Sequence, residues 1–236
     1  MKKVSVAFSS LVALILLGSS CSKKNDSKPV CKIVTITDVS PSSTTTYNLS
    51  YNNDGKLSTL QSTSGSTTTS KVFTYNNDVI LITTTSGSDT QTDSVVVNGD
   101  GLIQSNLHRD GSNKTVTTYT YSGTQLQKYV SQYNDEAPTT TTTTFANGDL
   151  TAISDGETFS YNTDKAASVG DYLSLAQLIQ YGATFIKTTH QIKSFAFGSS
   201  IENFNYTYDS HGNISGITAT GGSDIETITY QYNCNN

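Results

Sequence analysis

The chain is poor in several residue types that mark common classes of function. Its 236 residues include no tryptophan, three prolines, three histidines and one arginine, Arg109, and only 14% of the residues are charged. Partners such as nucleic acids and anionic lipid surfaces require clustered lysine and arginine. The composition supplies no such clusters, so the sequence predicts no nucleic-acid partner.

Sequence motifs for catalysis and cofactor binding are also missing. The chain has no Gly-x-Ser-x-Gly elbow, no His-Glu-x-x-His, no phosphate-binding loop and no dinucleotide fingerprint. His108, His190 and His211 lie far apart in the sequence. Aspartates recur at turns without the density of a calcium loop, and turn formation accounts for Asp54, Asp78, Asp100, Asp149 and Asp209. We therefore predict no catalytic residue, metal or cofactor.

A short aromatic–hydroxyl–aromatic motif, followed by Asn or Asp, recurs along the chain and is clearest at Phe73-Thr74-Tyr75-Asn76. Its third residue falls at positions 51, 75, 97, 121, 145, 161, 208 and 232, and five of the seven steps are 22 or 24 residues. One step accommodates two strands of about nine residues and two tight turns. Each unit is therefore predicted to be a β-hairpin, and the chain an all-β antiparallel meander of about sixteen strands.

The number of strands predicts how the sheet is closed. Open twisted sheets rarely exceed about ten strands without curling or splitting, so we expect a barrel or a rolled sheet. A membrane-spanning barrel is the alternative, but segments such as 115–121 and 139–145 carry little of the apolar alternation that faces lipid. The sequence thus favours a soluble barrel or rolled sheet, tethered by lipid.

The strand after each turn opens with an aliphatic residue, and a second often follows three positions later, as at Leu57 and Leu60. A regular strand places residues i and i+3 on opposite faces. The first aliphatic is therefore predicted to lie in the turn or beside a β-bulge.

One segment departs from the β pattern and predicts a short helix near 171–181. Asp171 is a suitable N-cap and Gly182 occupies the C′ position. Tyr172, Leu175 and Ile179 share one helical face with Ala176. The helix is expected to be either a plug that covers the end of the β structure or a flap over a cleft.

The N-terminus predicts export. A basic start, Met1-Lys2-Lys3, precedes an apolar run from Val4 to Leu17 that is shorter than the roughly 20 residues of a spanning helix. Residues 1–20 are therefore interpreted as a signal peptide, and its removal leaves 12 basic against 19 acidic residues, a net charge of −7. The polar residues 21–30 are expected to be a flexible tether, and residues 31–236 a single domain.

The residues before Cys21, Gly18-Ser19-Ser20, resemble the lipobox of bacterial lipoproteins, although Gly18 stands where an aliphatic residue is commonest. The resemblance implies cleavage before Cys21 and a diacylglycerol on its thiol. Ser22 and the charged Lys23-Lys24-Asn25-Asp26 resemble the leader of outer-membrane lipoproteins, which implies a lipid-anchored protein in the outer membrane, on the periplasmic face or the cell surface. An ordinary signal peptide with an incidental cysteine is the alternative.

Two resemblances concern the repeat. Tyr208-Asp209-Ser210-His211-Gly212-Asn213-Ile214 is similar to one unit of the YD repeats of large β-meander shells. The lipobox, the recurring Tyr-Asn-x-x-Gly-x-Leu pattern and this late unit together resemble a family of bacterial lipoproteins of unknown function with a porin-like fold, over most of residues 35–233. That resemblance implies a porin-like antiparallel barrel and no activity.

Tyrosine pairs at i and i+2 are the candidate binding residues, since both members of a pair lie on one face of a strand. They form either an aromatic lane that grips sugar rings or a peptide, or part of the core. The pairs are Tyr119/Tyr121, Tyr206/Tyr208 and Tyr230/Tyr232.

The two remaining cysteines lie at the ends of the predicted domain. Cys31 precedes the first strand and Cys234 follows the last, and a meander that closes on itself brings these ends together. We therefore predict a disulfide between them, with two free thiols as the alternative.

Three functions remain open from the sequence. The first is a non-catalytic, lipid-anchored envelope protein that binds a glycan or protein partner. The second is a structural or assembly component of the envelope. The third is a glycan-acting enzyme, which would need two carboxyl groups about 5–10 Å apart in a cleft.

Overall fold

The computed structural model describes residues 30–222 and 224–235. The predicted signal peptide, Cys21 and nearly all of the predicted tether lie outside these ranges. The described elements are β1 (Val30–Val39), β2 (Thr44–Tyr51), β3 (Leu57–Ser64), β4 (Thr67–Asn76), β5 (Val79–Ser86), β6 (Asp89–Val97), β7 (Ile103–Asp110), β8 (Asn113–Ser122), β9 (Gln125–Tyr133), β10 (Thr139–Ala146), β11 (Asp149–Ile153), β12 (Glu157–Ala166), α1 (Tyr172–Tyr181), β13 (His190–Phe197), β14 (Ser200–Tyr208), β15 (Ile214–Gly221) and β16 (Asp224–Asn235).

The sheet is a closed antiparallel barrel of sixteen strands. Each strand pairs with its neighbours in sequence, and β1 pairs with β16 to close the ring. At this seam the register places Cys31 opposite Cys234. The predicted all-β meander and its strand number are confirmed, and the sheet closes as a barrel.

The two ends of the barrel differ. Because successive strands alternate in direction, β1 begins and β16 ends at the same end. This end, which we call the closed end, also carries the long connection 167–189 between β12 and β13. The opposite end carries short hairpin turns and the 40–43 loop, and we call it the open end.

At three turns of the closed end, the Asn or Asp after the motif accepts the hydrogen bond that closes the turn. Asn52 Oδ1 accepts a 2.9 Å hydrogen bond from the Lys56 amide, and Asn98 Oδ1 accepts one of 2.9 Å from Leu102. Asp209 Oδ1 likewise accepts a hydrogen bond of 2.8 Å from the Asn213 amide. A side-chain acceptor at this position closes the turn in place of a backbone carbonyl, which explains why the repeat uses Asn and Asp.

The β-bulges predicted from the aliphatic spacing are present. Tyr51 pairs with Leu57 whereas Ser50 pairs with Thr59, so β3 gains one residue. The extra residue brings Leu57 and Leu60 to the same side of the sheet, and each is only 2% exposed. Register shifts at the same point occur in β7, β9, β11 and β15. In β5 the ladder is regular instead.

The predicted helix is confirmed as α1. The Asp171 side chain accepts a hydrogen bond from the Leu173 amide, and the Gly182 amide donates to the Leu178 carbonyl. Gly182 has φ 62° and a Cβ there would lie 3.0 Å from Phe73 Cδ1, so both conformation and space call for glycine. Within the described ranges, no helix has the length and apolar character that a membrane crossing requires.

The helix crosses the barrel lumen from wall to wall. At its start the Tyr172 ring stacks on Phe204 of β14, with centroids 4.3 Å apart. Near its end the Lys71 ammonium of β4 donates to the Ile179 carbonyl at 3.2 Å. The chain then returns along β7, where the Ile103 amide donates to the Thr184 carbonyl at 2.9 Å. The connection 167–189 is therefore a plug of the closed half of the barrel.

The outer face of the barrel is rich in hydroxyl and amide side chains. Along β8 and β14, inward positions hold Tyr119, Tyr121 and Phe204, whereas the positions between them are exposed and polar. These exposed positions include Thr118, Thr120, Ser122, Asn203, Asn205 and Thr207. The apolar core of this protein therefore lies inside the barrel.

Candidate functional site

The open half of the lumen contains a cavity above the helix. A space of about 350 Å³ lies against the first turn of α1, and a smaller one of about 140 Å³ lies beside its later turns. Tyr172 lines both, so we treat them as one chamber with α1 as the floor. Aromatic and aliphatic side chains form most of the wall of the larger space, and besides Tyr172 the aromatic ones are Tyr129, Phe159, Phe185 and Phe195.

The chamber continues to the open end of the barrel. A space of about 560 Å³ at the mouth lies beside the 40–43 loop, and it shares Glu202 with the larger space and Glu226 with the smaller one. Pockets of a few hundred Å³ with mainly apolar walls and few polar groups are typical of sites for small molecules.

Three carboxyl groups form an acidic arc on the chamber wall. Glu202 lies on β14, Glu226 on β16 and Asp38 on β1. β15 separates β14 from β16, and β16 pairs with β1 at the seam. On β15, Gly221 pairs with Glu202 and Ala219 pairs with Glu226. Because these two residues are small, the carboxylates face the chamber with little between them. Glu157 lines the chamber on the opposite side of the β13–β14 hairpin.

Burial and mutual repulsion disfavour the charged forms of these groups. Burial, the charge of Asp38 and their shared hydrogen bond raise the pKa of Glu226 to about 7, and Glu202 adds to the effect. Burial also raises the pKa of Asp38 and of Glu202. Desolvation and nearby like charge are the two usual causes of such upward shifts.

The acidic arc has no basic counterpart. In the part of the chain that the structure describes, none of these carboxyl groups forms an ion pair with Lys, Arg or His. Of the described residues, those that line the chamber and its mouth include no basic side chain. In addition, Asp38 Oδ1 is buried, and apart from the proton shared with Glu226 it has no hydrogen-bond donor among the described residues.

The candidate tyrosines point mainly into the barrel. Tyr230 is 8% exposed and belongs to the core, and Tyr119, Tyr206 and Tyr232 pack against it. Tyr121 packs against the smaller core cluster, while Tyr208 is 44% exposed. The arrangement supports the core interpretation over a continuous lane on the outer surface.

The hydroxyl groups of the repeated tyrosines have a shared structural task that sequence reasoning missed. Tyr51, Tyr75, Tyr121 and Tyr232 each donate to the backbone carbonyl of the residue 18 positions earlier in the chain. The acceptors, Ile33, Leu57, Ile103 and Ile214, are the residues at which the bulges begin. The constant 18-residue spacing to an aliphatic residue was the available signal.

A second opening lies in the barrel wall. The pairing of β13 with β14 stops at Ser194 and Asn203, so the two strands separate toward the closed end. The resulting wall slit holds a space of about 350 Å³ lined by amide, carboxyl and lysine side chains, and by Tyr206 and Tyr208. The Tyr208 hydroxyl spans the slit to Gln191 Oε1 at 3.0 Å.

The cysteines and histidines lie away from the chamber. Cys31 and Cys234 are joined by a disulfide with an S–S distance of 2.07 Å. His108 Nδ1 contacts Asp93 at 3.0 Å, and His211 lies in a turn. Among the described residues, no group of three potential metal ligands comes together.

Asp149 does more than form a turn. It is 4% exposed, and its Oδ1 accepts hydrogen bonds from the amides of Thr189 and His190 at 2.9 and 2.8 Å. Its Oδ2 lies 2.6 Å from His190 Nδ1. The carboxylate thus fastens the returning plug segment to the barrel, a role that sequence spacing alone did not reveal.

Comparison with known proteins identifies the fold. No protein-family model and no curated relative matches the sequence. Two solved structures are similar. A porin-like protein from Bacteroides uniformis has 14% sequence identity and a TM-score of 0.60, and the match covers 85% of this chain and 96% of that one. A porin-like protein from Bacteroides vulgatus has 17% identity and a TM-score of 0.59, and the match covers 85% of this chain and 98% of that one. At these identities the chain is similar to porin-like proteins in fold.

Proposed function

We propose that this chain is a non-catalytic, lipid-anchored protein of the bacterial envelope that binds a small amphipathic molecule in its chamber. The observation that carries the proposal is the aromatic cavity of about 350 Å³ above α1, with carboxyl groups near its mouth. A barrel used only as a structural spacer has no need of such a space, because filling it with side chains would add stability.

A probe of polarity tests the binding function. N-phenyl-1-naphthylamine, a neutral dye that fluoresces in apolar surroundings, is expected to bind the mature chain carrying Cys21→Ser. Leu173 lines the larger space, so Leu173→Trp fills it and should lower the fluorescence gain at least fivefold. Leu81, 43% exposed on the outer wall, provides the matched control Leu81→Trp. A folded wild type that gives no gain would favour the structural or assembly role.

The polar outer face supports a soluble barrel tethered by lipid. Membrane barrels present an outward apolar band about 25 Å tall. Here the exposed positions of β8 and β14 are mainly threonine, serine and asparagine. Replacing Cys21 by serine should move the protein from the membrane to the soluble fraction, without detergent. Unchanged membrane association of that variant would contradict the lipid anchor.

Binding fits the chamber better than hydrolysis. Glu202 and Glu226 lie two strands apart with a register offset of two residues, about 12 Å between Cα atoms at the usual strand spacing and rise, which leaves room for a water between the carboxyl groups as in inverting glycosidases. However, the larger space is walled by apolar and aromatic side chains, which offer few partners for sugar hydroxyls. Aryl glycosides that release nitrophenol on hydrolysis test the alternative. If the wild type releases nitrophenol and Glu226→Gln does not, the chamber is a catalytic site and the proposed binding function is wrong.

The wall slit favours a glycan as a second candidate ligand. Its lining combines the planar polar side chains of Asn162, Gln191 and Asn205 with the partly exposed Tyr208 ring. Amide groups and an aromatic face are suited to sugar hydroxyls and to the apolar face of a sugar ring. A glycan array with the wild type and Tyr208→Ala tests this candidate, and binding that survives the substitution would exclude the slit.

A further inference from the structure

We propose that the chamber selects an organic cation, an ammonium group carried on an apolar or aromatic body. This inference rests on the proposed ligand-binding function and adds the chemical class of the ligand. Two independent features support it: the arrangement of the acidic arc and the apolar space directly below it.

The acidic arc supplies acceptors that the protein itself leaves without a cation. Asp38 and Glu226 share a hydrogen bond, so one proton takes the place of a counter-ion between them. Asp38 Oδ1 is buried, and apart from the proton that Asp38 shares with Glu226 it has no hydrogen-bond donor among the described residues. A buried acceptor left without a hydrogen bond costs free energy, which an ammonium N–H donor would recover.

The lysine that donates to the end of the plug helix is already engaged. Lys71 is on β4, three strands from Asp38 on β1, and its ammonium donates to the carbonyls of Ile179 and Gln180 at 3.2 and 3.4 Å. Burial lowers its pKa. The ammonium therefore binds the C-terminal end of the helix dipole and does not neutralise the arc.

The space below the arc is suited to an apolar body. Tyr172 lies between the two parts of the chamber, and burial together with the charges of Glu202, Glu226 and Asp38 raises its pKa to about 12. Tyr172 lines the smaller space together with Asp38 and Glu226, and the larger space together with Glu202. A cation placed at the arc would also be near an aromatic face, and cation–π attraction strengthens when the cation is desolvated. The larger space then receives the apolar part between Phe159, Phe185 and Phe195.

A matched series of probes separates charge from shape. Phenethylamine, 2-phenylethanol and 3-phenylpropionate share a phenyl ring and differ in charge. Calorimetric titration of the mature chain carrying Cys21→Ser, at pH 8 and in 150 mM salt, should give at least tenfold tighter binding of the amine than of the alcohol. The propionate should show no binding, because the arc repels it.

Substitutions in the arc provide the second arm. Glu202→Gln with Glu226→Gln should weaken amine binding at least tenfold and leave the alcohol unchanged. Glu136 is exposed in the turn between β9 and β10 at the same end, so Glu136→Gln controls for net charge. Equal loss in the control would mean unspecific attraction and would overturn the inference.

The pH dependence is a third readout. The titratable groups near Glu226 include Asp38 from β1, Tyr47 from β2, Glu202 from β14 and Tyr172 from α1, together with Asp224 and Tyr230 of β16 itself, whereas β15 contributes Ala219 and Gly221. The tyrosines stay neutral and the amine stays charged over pH 6–8. Amine binding should therefore strengthen from pH 6 to pH 8 as the arc loses its proton.

The outcomes are distinguishable. If amine and alcohol bind equally, the chamber binds ligands as proposed but does not select a cation. If the propionate binds best, the chamber prefers an anion, which contradicts the inference. If none of the three probes nor the dye binds to folded protein, the proposed function fails together with the inference.

Discussion

The hydroxyl group of Tyr51 donates a 2.7 Å hydrogen bond to the carbonyl oxygen of Ile33 in the neighbouring strand. The ladder between β1 and β2 begins only at Thr35, so this carbonyl has no strand partner there. Tyrosine thus replaces a missing backbone bond where neighbouring strands separate at a bulge. The same pairing recurs in three other repeats, which explains why the third position of the motif is so often tyrosine.

Removing this hydroxyl should destabilise the barrel. Tyr51→Phe or Tyr75→Phe leaves a carbonyl unpaired in a half-buried site, and we expect a loss of about 1–3 kcal/mol in the free energy of unfolding. Urea denaturation followed by circular dichroism measures it. Tyr133, 44% exposed, gives the control Tyr133→Phe. Equal stability of all three variants would show that the repeated tyrosines act only through their rings.

The disulfide at the seam should be detectable and stabilising. Cys31 and Cys234 are 203 residues apart in sequence, and the chain-entropy treatment assigns more than about 4 kcal/mol to loops of this size, less any strain. Mass spectrometry of alkylated protein should show label on neither cysteine before reduction and on both after it. Label on both without reductant would refute the bridge.

The carboxylate of Asp171 joins the plug helix to the barrel wall. It is 1% exposed and accepts hydrogen bonds from the amides of Leu173 and Ile192 at 3.1 and 2.9 Å. Asp171→Ala removes an N-cap and leaves a buried strand amide unpaired, so we expect a loss of about 2–4 kcal/mol. Chemical denaturation measures this loss. The exposed Asp89 supplies the control Asp89→Ala, and a similar loss there would discredit the explanation.

Stability should fall as the pH rises through the range set by Glu226. Its pKa in the folded protein is about 7, above its usual value of 4.5, so the folded state binds more protons than the unfolded chain between these values. The free energy of unfolding therefore decreases from about pH 4.5 to pH 7. Asp171, with a pKa raised to about 6, acts in the same direction.

Thermal unfolding at pH 5 and pH 8 tests this dependence. The wild type should melt several degrees lower at pH 8, and Glu226→Gln should show a smaller difference, because its uncharged amide does not titrate. A variant with the same difference as the wild type would show that other groups cause the effect. Glu136→Gln again serves as the exposed control.

Much of the fold was contained in local patterns. The 22–24-residue step predicts one hairpin per unit because strand and turn lengths add up to it. The helix was visible because Asp171 and Gly182 delimit an apolar periodic segment. The bulges were predicted from the spacing of Leu57 and Leu60, because these two residues lie on the same face of the strand only if it gains a residue between them.

The chamber could not be predicted in the same way. Asp38, Glu202 and Glu226 come from distant parts of the chain, and they meet because the register across β14, β15, β16 and β1 brings them together. A one-residue change in that register would turn each side chain to the other face. Local periodicity does not determine the register at the seam or the depth at which the plug helix rests.

The position at which β1 begins also determines how a lipid-anchored barrel would be oriented on a membrane. β1 begins at the closed end, and the chamber opens at the other. Residues 21–29 reach at most about 30 Å even when fully extended. With a lipid at Cys21, as proposed, the barrel would stand on the bilayer with its plugged base toward the headgroups. Its ligand would then arrive from the aqueous side and not by lateral transfer out of the membrane.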